Sequence, residues 1–365
     1  MLVYLILFVM VSVLYYSKSN KVNLVFTLFM TSTICIAGLR DMIGGFDVYI
    51  YSQVYESSIL TIDNFQFFEP GFVILFQVLN YVNSDRAFMF FVTSAIILGG
   101  HYYFFKKLSI WPYFTMFIFF CKFYLMSFVY LRQGIAMVLV LWAISYLIQK
   151  KYFPTLLISI IAIFFHRSSI VFIPFIGLAY YRFSYLQIFF LALLVAILSV
   201  SGIGAELILE FGQSTENEKL TMYALKSGGI NYFYVIEGLL LVILALKFRH
   251  KFYLNRKNII YFNGILLYGL IIIFSITNAT FIRFGWYYFS FLCLGFPLVF
   301  RFISHLNLKK LFKNAIFVYY SLVFFRLLLT FDGGDFYPYK SIFQDFERHG
   351  RWEFMEYKPR EYFNN

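Results

Sequence analysis

Charge is scarce in this sequence. Only 13% of the residues are charged, about half the share of an ordinary soluble domain. Cysteine is rarer still. Cys35, Cys121 and Cys293 each sit alone inside an apolar run. That spacing excludes a disulfide framework and a thiolate metal site, and leaves them as core residues. There is no His-x-x-x-His and no Asp-x-Asp, so no metal is expected. No Gly-rich piece runs into Lys-Ser or Lys-Thr, which excludes a P-loop and, with it, ATP. No cofactor is expected. Soluble domains, internal repeats and low-complexity linkers are missing as well.

Apolar runs are what the sequence has instead. Hydrophobic residues make up 61% and mean hydropathy is +0.76, which defines an all-α polytopic membrane protein. Aromatics reach 24%, with 51 Phe and 31 Tyr, part of them an interfacial belt. The net charge of +12 marks orientation in a membrane, not nucleic acid, because Lys and Arg collect in cytoplasmic loops. Met1-Leu2-Val3-Tyr4 has neither a basic n-region nor a small-residue cleavage site, so the first run reads as a retained span.

Apolar runs and their basic flanks predict about twelve spans: 2–17, 21–39, 86–105, 111–130, 133–149, 152–165, 169–181, 185–203, 232–248, 258–277, 282–301 and 314–330. One further run, Gly71 to Val82, suits a short re-entrant or interfacial helix better than a crossing. If it does not cross, Lys18, Lys21, Lys106, Lys107, Lys150 and Lys151 share a side. That side then collects 16 basic residues and no acidic one, while 17 of the 18 acidic residues fall opposite. The bias places both termini outside. Residues 1–330 read as one transmembrane catalytic bundle with outer loops 40–85 and 204–231, and 331–365 as a charged outer tail. The loop 204–231 carries a polar patch, Gln213 to Lys219.

The outer side keeps its arginines mainly at span ends. Arg40 closes one span in Gly38-Leu39-Arg40. Arg132 sits in Leu131-Arg132-Gln133-Gly134, between two spans. His166-Arg167-Ser168-Ser169 lies between two more, and Arg283 precedes Trp286-Tyr287-Tyr288. A single arginine at a span end snorkels to headgroups. Four turns with Arg or His at one depth, against the positive-inside bias, point to an anionic lipid headgroup such as a polyprenyl pyrophosphate. His166 alone among the five histidines sits at an outer span end, where an imidazole suits proton transfer. Asp47 follows the flexible pair Gly44-Gly45. Glu69 precedes Pro70-Gly71, where an acid also favours a helix N-terminus. Asp41 has Arg40 beside it as a pairing partner. Lys122 and Glu237 lie within spans and are expected to face the bundle interior, pairing or lining a cavity. Asn263 and Asn278 read as helix bridges or cavity liners.

In order, Gly38-Leu39-Arg40, Gly44-Gly45-Phe46-Asp47-Val48-Tyr49, Glu69-Pro70-Gly71-Phe72, Leu131-Arg132-Gln133-Gly134-Ile135-Ala136, Phe165-His166-Arg167-Ser168-Ser169, Arg283 and Tyr337-Pro338-Tyr339 resemble the EpsG type of Wzy-like polysaccharide polymerase. The set spans residues 38–339. One departure is Gly45-Phe46, where that family more often has Gly-Thr before the Asp.

The resemblance implies a metal-independent integral-membrane glycosyltransferase with a GT-C-like bundle. It would join undecaprenyl-pyrophosphate-linked oligosaccharide repeat units at the outer face of a bacterial inner membrane, making O-antigen, capsule or exopolysaccharide. Membrane lipid and the pathway's chain-length regulator and flippase are the implied partners. Asp47 and His166 are then the candidate bases. Arg40, Arg132 and Arg283 hold pyrophosphate, with Arg167 beside them. Glu69 orients an arginine or a sugar, Gln133 and Ser169 line the substrate site, and Trp286 and Tyr287, with Tyr288, stack on sugar or lipid. A ligase would share the arginines but transfer to a different acceptor. A flippase predicts midplane charges and repeat symmetry.

Overall fold

A polypeptide in hydrocarbon must satisfy its backbone internally, and an apolar run does so as a helix. The computed structural model, described here for residues 1–17, 24–57, 68–214, 218–226 and 228–357, follows that rule. No strand occurs among the described residues, and the one isolated bridge joins Arg40 to Ser341.

Among the described residues, five helices are long and apolar enough to cross a membrane: Arg86–Leu108, Leu131–Ile148, Arg256–Phe274, Ala279–Phe302 and Leu306–Gly333. A sixth span results if Tyr185–Val200 and Ile203–Ser214, bent by 73°, count as one. The membrane class therefore stands, but the expected twelve crossings are not reached by this measure. The reason is length and interruption. Leu2–Tyr16, Leu24–Gly38, Tyr152–Phe165 and Arg167–Leu178 are apolar helices of 10–17 residues. A 15-residue helix is only about 22 Å long against a core of about 30 Å. The run from Pro112 passes through a π-helical turn at Phe120–Tyr124, and Tyr232–Phe252 carries Glu237, Lys247 and Arg249 in its apolar stretch.

The expected loop 40–85 is largely helical, with helices Phe46–Glu56 and Pro70–Val82. Residues 58–67 lie outside the described residues, as do Lys18, Lys21 and the middle of the 213–219 patch. The run Gly71–Val82 is a helix as expected. It buries Phe72, Val73, Phe76 and Leu79 on one face.

The chain divides into two compact units. The first holds Met1–Ser145, Leu157–Arg167 and the chain from Ile303 onward. Its centre is the stretch Pro112–Val129, buried at every position, as expected of a helix that is apolar all round. Residues 331–357 fold back onto the stretch that follows Gly38. Asp41 N–H donates to Lys340 O at 2.9 Å and Ile342 N–H to Leu39 O at 3.0 Å. Arg348, with its side chain only 2% exposed, donates to Met42 O at 2.7 Å and also to the Asp335 carbonyl.

The second unit holds Tyr146–Leu156 and Ser168–Phe302. Helices Arg256–Phe274 and Ile282–Phe302 pack at its centre, Gly264 meeting the Phe291 ring and Gly295 meeting Ile265. Small residues of this kind let membrane helices approach closely. Asn263 donates its amide to the Leu178, Ala179 and Tyr181 carbonyls at 2.8, 3.1 and 2.9 Å, tying off the end of the helix Ile173–Leu178. Glu237 accepts from the Tyr268 hydroxyl at 3.5 Å.

Candidate functional site

Glu69 is the last residue before the Pro70–Val82 helix. Its backbone carbonyl accepts from Phe72 and Val73 N–H, while its carboxylate makes no cap. The local dipole explanation is therefore insufficient, and the side chain goes elsewhere. Oε2 accepts from Arg132 Nη1 at 2.6 Å, and Oε1 accepts from His166 Nδ1 at 2.9 Å and from the Arg167 N–H at 3.2 Å. Three stretches far apart in sequence thus meet on one carboxylate, 6% exposed.

Gly71 makes that meeting possible. A Cβ there would lie 2.9 Å from Phe164 O and 3.2 Å from the Phe165 ring. Only glycine lets the start of one helix press against the end of Tyr152–Phe165, and His166 follows that end directly. Arg132 arrives on the first turn of Leu131–Ile148.

Tyr51 completes the cluster. Its hydroxyl accepts from Arg132 Nε at 3.1 Å, and the guanidinium lies 5.0 Å from the Phe68 ring centre. Burial first, then the charges of Asp47 and Glu69, push the Tyr51 phenol up to about 12 against the pull of Arg132. Asp47 stands one helical turn before Tyr51 on Phe46–Glu56. It is half-buried and enters no hydrogen bond or ion pair among the described residues. The Arg167 side chain is exposed and forms no ion pair among them.

The electrostatics favour an ionised Glu69. Burial raises its carboxyl, but the hydrogen bond from His166 and the charge of Arg132 outweigh that and hold it well below the usual carboxylate range. An ionised carboxylate only accepts, so the His166 Nδ1 must carry the proton. Neutral His166 then has its lone pair on Nε2, the arrangement of a positioned general base.

Arg40, expected as a phosphate ligand, lies inside the first unit. It is 0% exposed. Its guanidinium donates to Ile43 O, Ala37 O, Ser94 Oγ and Phe128 O, and lies over the Phe90 and Phe128 rings. All four acceptors are protein groups. Asp41 does not pair with Arg40 but with Arg86 at 3.0 Å and Lys340 at 3.1 Å. Gln133 is buried, 3% exposed.

The pair Gly44-Gly45 has a role that the sequence left unread. Both have positive φ, 130° and 84°, and both N–H groups donate to Asp335 Oδ2, at 3.0 and 2.7 Å. The C-terminal segment thereby holds the entry to the helix that carries Asp47. Gly333-Gly334-Asp335 was the available signal, a flexible turn ending in an acid. Tyr51, at helical spacing from Asp47, was the other.

The remaining site residues belong to the second unit. Ser169 is 1% exposed, and its hydroxyl has no hydrogen-bond partner among the described residues. Arg283 is half-buried in the first turn of Ile282–Phe302. Trp286, Tyr287 and Tyr288, expected to stack on sugar or lipid, are 6%, 1% and 3% exposed and pack against protein. Tyr287 and Ser168 share a hydrogen bond of 2.9 Å, Tyr288 donates to Val171 O at 2.6 Å, and Trp286 meets Phe289 edge-on.

Among the described residues no group of three or more His, Cys, Asp or Glu could hold a metal ion. The model of the EpsG family matches residues 22–341. No curated protein and no solved structure matches the chain.

Proposed function

The chain belongs to the EpsG family, and from that membership we propose that it polymerises undecaprenyl-pyrophosphate-linked oligosaccharide repeat units, as a GT-C-like glycosyltransferase acting at the outer face of the bacterial inner membrane. The observation that carries the chemical part is the Glu69 carboxylate bonded to both Arg132 and His166. It combines the two things such a transfer needs, a positioned base and a fixed positive charge.

In the proposed step a hydroxyl of the acceptor unit gives its proton to His166 Nε2. Its oxygen bonds to the anomeric carbon of the growing chain, and the bond from that carbon to the pyrophosphate oxygen breaks. The charge left on undecaprenyl pyrophosphate meets the Arg132 guanidinium and the exposed Arg167. Arg283, in the second unit, is proposed as a phosphate ligand in its own right. Glu69 touches no substrate; it fixes the tautomer of His166 and the orientation of Arg132. Asp47 is the second candidate base, because its carboxylate is unengaged among the described residues and lies a turn from Tyr51. Rate against pH separates the two. A histidine base loses rate where an imidazole takes up a proton, a carboxylate base only at distinctly lower pH. A chain-length regulator and a flippase of the same pathway are the proposed partners.

The test is the product of the purified full chain supplied with undecaprenyl-pyrophosphate-linked repeat units. The proposal predicts a ladder of lipid-linked polymer and free undecaprenyl pyrophosphate. One block moved onto a new acceptor makes it a ligase. Movement of the substrate across a vesicle membrane without chain growth makes it a flippase.

A further inference from the structure

In the second unit, a groove of about 510 Å³ runs beside the helix Tyr185–Val200. Leu186, Phe190 and Leu194 form its long wall at intervals of four residues, 69%, 59% and 53% exposed. One face of a helix therefore presents an apolar strip roughly 12 Å long. Phe183 lies at one end of the groove, and there the chemistry changes sign.

The Phe183 carbonyl accepts from Arg249 Nε. The Arg249 guanidinium lies 4.6 Å from the Tyr185 ring centre and 4.7 Å from that of Tyr253. Arg182 reaches the same Tyr253 ring at 6.0 Å and donates to its carbonyl at 3.4 Å. Neither arginine has an ion-pair partner among the described residues. The sequence around them offers none: Lys247, Arg249, Lys251, Arg256 and Lys257 fall within eleven residues, and no Asp or Glu occurs between Glu237 and Asp332. Two guanidiniums beside one Tyr253 ring, with no counter-charge among the described residues, call for an anion. The apolar strip that begins beside them calls for a hydrocarbon chain. In a bilayer, a lipid with a charged headgroup joins the two, and basic pockets at helix ends are where such headgroups bind.

We propose that this groove binds an anionic glycerophospholipid, with its phosphate on Arg182 and Arg249 and one acyl chain along Leu186, Phe190 and Leu194. The site is separate from the Glu69 cluster and does not depend on the polymerase reading. Arg249 is held in place by aromatic rings and a carbonyl, while Arg182 is exposed and can exchange its long hydrogen bond to the Tyr253 carbonyl for the headgroup. The remaining basic residues of 247–257 add long-range attraction for an anionic leaflet.

Native mass spectrometry of the full chain in a neutral detergent tests this, using phosphatidylglycerol and phosphatidylcholine with identical acyl chains. Phosphatidylglycerol should bind at least about tenfold more tightly. Arg182→Gln should weaken it about fivefold, and Arg182→Gln with Arg249→Gln about thirtyfold. Arg182 is exposed, so its single variant reports binding even if the double variant folds poorly. Lys309→Gln with Lys310→Gln removes the same charge elsewhere and should leave binding unchanged. The proposal is overturned if the two lipids bind equally, or if the lysine pair matters as much as the arginine pair. It is equally overturned if undecaprenyl phosphate or millimolar inorganic phosphate displaces phosphatidylglycerol, which would make this a carrier-lipid or free-anion site.

Discussion

Replacing Glu69 by Gln keeps the size of the side chain and removes its charge. Three donors point at the present carboxylate: Arg132 Nη1 at 2.6 Å on one oxygen, and His166 Nδ1 at 2.9 Å with the Arg167 N–H at 3.2 Å on the other. A glutamine offers one acceptor oxygen and one amide nitrogen, so one donor ends up facing another donor. If that donor is His166, the ring shifts its proton to Nε2, and the atom that should accept the substrate's proton already carries one. A base held in the wrong tautomer loses about 10²- to 10⁴-fold in rate. If it is Arg132, a partly buried cation loses its counter-charge. Breaking a buried pair costs about 3–5 kcal/mol. The Arg132 side chain is 16% exposed, so about 2–3 kcal/mol is the expected loss. The assay is the polymer ladder formed per folded molecule, with thermal unfolding in detergent alongside. Glu69→Gln should lose at least about a hundredfold in polymerisation and unfold earlier. Wild-type stability together with at least half the wild-type rate would refute the bridging role.

Gly71→Ala should destabilise the first unit by about 1–3 kcal/mol, because its Cβ meets backbone at Phe164 O, which cannot swing aside; thermal unfolding measures it, and an unchanged midpoint counts against the close approach. Arg40→Lys leaves three carbonyls and the Ser94 hydroxyl to an ammonium that cannot fork. Folded yield should fall by the equivalent of about 2–4 kcal/mol, with activity per folded molecule within about twofold; a selective loss of activity at wild-type stability would return Arg40 to a phosphate-binding role. Acid gives a signed test of Glu69. Its folded carboxyl lies below the unfolded value of about 4.3, so its contribution is complete above that value and drains away as pH falls through the folded one. The stability gap between wild type and Glu69→Gln should therefore narrow below about pH 4, and a gap that widens there would contradict the ionised pair.

Helices were legible in the sequence because an apolar run in a bilayer has almost no other option. Their number was harder to read, since hydropathy does not reveal a π turn at Phe120 or a bend at Gly202. The motifs of Glu69, Arg132 and His166 each stood out, but their union on one carboxylate is a contact across 63 and 97 residues, invisible to local pattern. The burial of Arg40 was not legible either. A span-end arginine looks the same in sequence whether it faces a headgroup or four protein acceptors. The burial of the aromatics at 286–288 was hidden in the same way, because ring type does not reveal burial. The closing segment read as a charged tail, yet Asp335 and Arg348 bind Gly44, Gly45 and Met42. Their charge is spent inward.

The central claim is that the Glu69-centred cluster drives glycosyl transfer. The most direct measurement supplies wild type, His166→Ala and Arg132→Ala, each shown folded by its unfolding midpoint, with undecaprenyl-pyrophosphate-linked repeat units and follows release of undecaprenyl pyrophosphate. The account predicts release with chain growth for wild type and less than about one-hundredth of that rate for either variant. A folded variant of either kind that builds polymer at the wild-type rate would contradict it.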